Sequence, residues 1–85
     1  MVIETFIQGA GPVYERYAAK GRMMPPGLEY VDSWIDEGLR RCWQLTETDD
    51  PALFDEWIAN WSDLMSVEIV PVIDSAEAAS RAAER

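Results

Sequence analysis

Residues 28–48 read LEYVDSWIDEGLRRCWQLTET, and how this run divides decides the fold. Its two ends, LEYVDSWI (28–35) and RCWQLTET (41–48), are rich in β-branched and aromatic residues and flank the turn-like DEGLR (36–40). They are predicted to be antiparallel neighbours, with Gly38 supplying the positive φ of a tight hairpin turn. A two-residue loop at Glu37-Gly38 pairs Ile35 with Arg40, Trp34 with Arg41, Asp32 with Trp43 and Tyr30 with Leu45. One face then collects Tyr30, Asp32, Trp34, Arg41, Trp43, Leu45 and Glu47. The other carries Val31, Ser33, Ile35, Cys42, Gln44, Thr46 and Thr48, and a three-residue loop would invert the parity. Large apolar groups fall on both faces, so neither reads as solvated.

Working outward, MVIETFI (1–7) predicts a first strand, stopped by QGAGP. Pro12 suits a first helical turn, and Val13, Tyr14, Tyr17 and Ala18 share a face until Gly21 ends the helix. Downstream, Asp50 caps Pro51, and Leu53, Phe54, Trp57, Ile58, Trp61, Leu64 and Met65 recur at helical spacing. SVEIVPVI (66–73) predicts a last strand, placed at an edge or a bulge by Pro71. Asp74 and Glu77 form a capping-box-like start for a small-residue helix. The order β-α-β-β-α-β predicts an α+β, ferredoxin-like domain over residues 1–74 with a C-terminal helical tail over 75–85. Strands one and three are expected as a parallel central pair, with both helices on one face of the sheet. The uncovered face, bearing two tryptophans, predicts a homodimer in which two sheets pack face to face as an α/β barrel.

Composition narrows the partners. The 85 residues suffice for one domain, and a chain of this size buries only roughly 60–70% of its unfolded surface, so a partner adds useful burial. The net charge of −9 disfavours nucleic acid and anionic membranes. One cysteine and no histidine leave no disulfide and no common metal or triad chemistry, so no metal and no cofactor are expected. No apolar stretch approaches the ~20 residues of a membrane span and no basic leader opens the chain, which predicts a cytoplasmic protein.

Trp34 in strand two, Glu47 with Asp49-Asp50 before helix two, Trp57 with WSDL (61–64), and EIVPV (68–72) together carry a likeness to a known family. Over nearly its whole length the chain resembles the dimeric α/β-barrel superfamily and, within it, the bacterial domain-of-unknown-function family three-three-zero-three. That superfamily includes cofactor-independent monooxygenases, muconolactone isomerase-like enzymes, haem-binding enzymes and stress-related proteins, and the fold alone does not choose among them. Such families commonly place a histidine directly after the strand-two tryptophan. Here that position is Ile35, so no imidazole role carries over.

Three functions follow as expectations. The first is binding of a small organic molecule between sheet and helices of a homodimer. The second is a cofactor-independent monooxygenase- or isomerase-like enzyme, and the third a purely structural or regulatory dimer. Glu4 and Glu47 hold equivalent places in the two halves. Side by side they would titrate as a coupled pair suited to proton transfer, against the alternative that both are structural polar groups. Arg41 or Arg22 would hold an anionic substrate. Trp34 and Trp43 would stack a flat ligand or anchor the dimer, and Tyr14 or Tyr17 would orient a ligand carbonyl or pack with its tip wet. Cys42 reads as buried filler, with no histidine to activate it.

Overall fold

Alternation in the first strand sets the layering. In β1 (Val2–Phe6), Val2, Glu4 and Phe6 are buried whereas Thr5 is exposed, as a period of two requires when one face is covered. The computed structural model describes residues 1–84. Its elements continue with α1 (Ala10–Lys20), β2 (Glu29–Ile35), β3 (Arg41–Glu47), α2 (Leu53–Ala59), β4 (Met65–Ile69) and α3 (Ser75–Ala83). The strands form one sheet of order β2-β3-β1-β4. This is the α+β, ferredoxin-like arrangement expected from the order of elements.

Strands β1 and β3 are the central pair, but they run antiparallel, with Val2 opposite Gln44 and Glu4 opposite Cys42. The expected parallel pairing is therefore corrected. The β1-α1-β2 crossover makes β1 and β2 the parallel strands, and the hairpin return lays β3 between them, antiparallel to both.

The hairpin itself is looser than two residues. Trp34 lies opposite Trp43 and Ile35 opposite Cys42, a shift of two from the expected register that leaves the face parity intact. The turn is built by Asp36, whose carboxylate accepts from the Arg40 and Arg41 amides at 2.8 and 2.9 Å. Positive φ falls on Leu39 (57°) and not on Gly38. A second departure lies between Tyr30 and Asp32, where a bulge at Val31 puts Tyr30 opposite Thr46. The bulge moves Tyr30 from the expected outer face to the face shared by Ser33, Cys42 and Gln44.

The helices cover that inner face. Val13 of α1 and Trp57 of α2 join Val2, Phe6, Leu28, Trp61, Leu64 and Met65 in the buried core. Helix α1 ends where expected, at Gly21 with φ 68°. Helix α2 is shorter than its periodicity suggests, because from Asn60 to Leu64 the backbone tightens into turns such as Asn60 N–H to Trp57 C=O and Leu64 N–H to Trp61 C=O. Leu64 and Met65 keep helical spacing and are buried, yet Met65 already begins β4. Pro71 lies just past edge strand β4. Asp74 accepts from the Glu77 amide at 2.8 Å, the expected cap of α3, a helix with no buried residue. Among the described residues, no helix is long and apolar enough to cross a membrane.

Candidate functional site

Between the inner face of the sheet and α1 lies a cavity of about 80 Å³. The sheet contributes Glu4, Ser33, Cys42 and Gln44, and α1 contributes Tyr14 and Tyr17. Arg22 stands at its edge, and Phe6, Val13, Trp57, Trp61 and Met65 complete an apolar wall. Glu4 is a carboxylic acid at the base of this pocket, only 6% exposed. It belongs to the buried alternation of β1, so the strand that builds the core also carries the acid inward.

The surroundings of Glu4 favour its neutral form. Burial pushes its carboxyl up to about 7, and the Cys42 thiol and the Arg22 guanidinium only partly offset that rise. Burial, with the carboxyl beside it, pushes the Cys42 thiol up to about 12, so it is no nucleophile at neutral pH. The Tyr14 phenol is likewise raised, first by burial and then by Cys42 and Glu4.

Arg22 is fixed by both its backbone and its side chain. Its carbonyl accepts from the indole N–H groups of Trp57 and Trp61 at 2.9 and 3.0 Å. Its guanidinium lies 3.6 Å from the centroid of Tyr30 and 5.0 Å from that of Tyr17, and donates to the Tyr17 hydroxyl at 3.2 Å. Tyr30 reaches this position through the Val31 bulge, and its hydroxyl is 2.7 Å from Ser33 Oγ. Gln44, also buried, donates to Thr46 Oγ1 at 3.0 Å.

Glu47 does not join Glu4. It lies five residues along β3 from the partner of Glu4, about 17 Å away at ~3.4 Å per residue. The expected paired carboxylates fail because β1 and β3 run in opposite directions, which sends equivalent positions of the two halves toward opposite ends of the sheet. Glu47 is exposed opposite Glu29, on a broad open groove also lined by Asp49, Phe54 and Val72.

Trp34, Trp43 and Arg41 are likewise outside the pocket. They occupy the outer face with Ile3 and Leu45, Arg41 lying 5.1 Å over the Trp43 ring. They cannot line a pocket between sheet and helices, because strand parity points them away from it. Of the expected site residues, the pocket brings together Glu4, Tyr14, Tyr17 and Arg22. Cys42 was foreseen on the inner face, but its place beside Glu4 depends on a register that residue types do not encode. Gln44 and Ser33, on that same inner face, were not singled out as site residues, although the alternation of β2 and β3 carried the signal.

Comparison with known proteins adds a family. The one described as "Domain of unknown function (DUF3303)" matches residues 1–85. No curated protein and no solved structure matches the chain.

Proposed function

The chain belongs to the DUF3303 family, and from that premise we propose that it is a cytoplasmic protein that binds a small organic molecule in the pocket between the sheet and α1. The observation that carries this reading is Glu4. Among the described residues no cation bonds this buried acid, burial disfavours its charged form, and perturbed acids concentrate at functional sites. An acid held near neutrality exchanges a proton readily with a carbon acid, enol or carboxyl group. An isomerase- or monooxygenase-like activity without a cofactor would rest on Glu4 alone, with Tyr14 orienting a ligand oxygen and Glu47 taking no part.

A homodimer is the second part of the proposal, carried by a different observation. Trp34 is 53% exposed on a sheet face that none of the described helices covers, next to Trp43, Ile3 and Leu45. Such a patch favours association with a second copy through the same face.

Native mass spectrometry of freshly purified protein tests both parts in one spectrum. Twice the chain mass with an added small molecule is expected. An unliganded dimer that gains no mass when offered a library of small organic acids, enols and amides would remove the binding reading, and a monomer would remove the dimer.

A further inference from the structure

Resting on the pocket reading above, we propose that the molecule it takes presents a carboxylate head group, gripped by the Arg22 guanidinium between Tyr17 and Tyr30. The geometry of Arg22 carries this. The guanidinium lies over the Tyr30 ring and donates one N–H to the Tyr17 hydroxyl, which leaves its other N–H groups free to form a fork. Among the described residues only one side-chain hydrogen bond, to Tyr17, uses a donor of Arg22, and no salt bridge engages it. In a chain with 16 acidic and 7 basic residues, a cation held in place without a carboxylate partner is set up to receive one.

Size restricts the ligand further. The pocket volume of about 80 Å³, open on one side, is roughly half that of the ~150 Å³ cavity that admits benzene, so a head group and a short chain fill it. Apolar atoms of Phe6, Val13 and Trp57 suit the chain, and Arg22 at the edge suits the carboxylate.

Binding an anion here engages Glu4. The groups facing it are Cys42 on β3, the apolar Val67 on β4, Tyr14 from α1 and Arg22 from the loop. Cys42 and Tyr14 both hold their protons throughout the neutral range, so Glu4 is the group that responds. A carboxylate beside it favours the protonated acid. With the ligand fully ionised, affinity therefore falls as pH rises through 7, with tenfold per unit as the upper limit set by one proton taken up per ligand bound.

The experiment is calorimetric titration of the purified full chain with propionate and with its neutral match propionamide, between pH 6 and 8.5 and in two buffers of different ionisation enthalpy. Expected are propionate binding at least tenfold tighter than propionamide, proton uptake above pH 7, and loss of at least tenfold in Arg22→Met with part regained in Arg22→Lys. Glu4→Gln should bind propionate with no proton uptake and no pH dependence. The substitution at Arg22 spares the backbone carbonyl that anchors both tryptophans, and melting curves check the fold. The wild-type comparison of the two probes needs no variant at all. Equal binding of propionamide, or an unchanged Arg22→Met, would overturn the carboxylate assignment and leave the pocket standing. Binding of neither probe would also overturn it; the pocket reading would fall as well only if native mass spectrometry found no molecule bound.

Discussion

Glu4 and Cys42 stand directly opposite one another in the β1–β3 ladder, both on the face covered by the helices. The pair places an acid and a thiol side by side in a small core: the thiol's hydrogen bond lowers the Glu4 carboxyl against the larger rise from burial, whereas the carboxyl raises the thiol. Its consequences reach both stability and binding.

Stability should fall with rising pH in a window set by Glu4. Its carboxyl sits near 7 in the folded chain against 4.5 when free, so the folded state holds the extra proton between these values. Stability conferred by that proton is complete below about pH 4.5 and is lost as pH rises through 7, a loss on the order of 3 kcal/mol at ~1.4 kcal/mol per unit. Glu4→Gln should remove this slope and exceed the wild type in urea midpoint at pH 8. Denaturation curves at pH 5.5, 7 and 8.5 check it, and a Gln variant with the wild-type slope would show that Glu4 is not the titrating group.

Trp57 and Trp61 share one acceptor, the Arg22 carbonyl, so their losses should not add. Changing either to Phe leaves the carbonyl with one donor. Changing both leaves a half-buried acceptor without either donor, and the double variant should cost about 1 kcal/mol beyond the sum of the singles. Trp57→Ala, at a site 2% exposed, should cost about 3–5 kcal/mol. Unfolding followed by far-ultraviolet circular dichroism reads the cycle without relying on the removed indoles.

The β2–β3 turn offers a stabilising substitution. Leu39 adopts a left-handed conformation with its side chain exposed, so Leu39→Gly relieves strain and forfeits little packing. A gain of about 0.5–1 kcal/mol is expected. Asp36→Ala should lose about 1–2 kcal/mol, since two backbone amides lose their acceptor. Thermal melts of the two variants should move in opposite directions.

Trp34→Glu tests the outer face. A charge at this exposed position leaves the inner core untouched and places like charges together where two copies would meet. Light scattering coupled to size exclusion should report a chain of monomer mass with unchanged circular dichroism. A variant that remains dimeric would move the interface elsewhere.

Period-two alternation in β1 and β3, the Asp74 cap of the last helix and the stop at Gly21 are local properties, and the sequence by itself determined them. Each follows from which side chains fit a pleated or helical backbone beside its neighbours. Element order and the face holding Trp34 and Trp43 were legible for the same reason, since a register error of two residues preserves parity. Strand direction was also implicit in the element order, since a crossover followed by a hairpin sets β3 antiparallel to β1, but the bulge at Val31, the early end of α2 and the meeting of Glu4, Cys42, Tyr14 and Arg22 were decided only by tertiary structure. These depend on how far one strand slides along another and on the shared demand of two indoles for one carbonyl. The indole bonds alone join residues as much as 39 positions apart, beyond the reach of any local pattern.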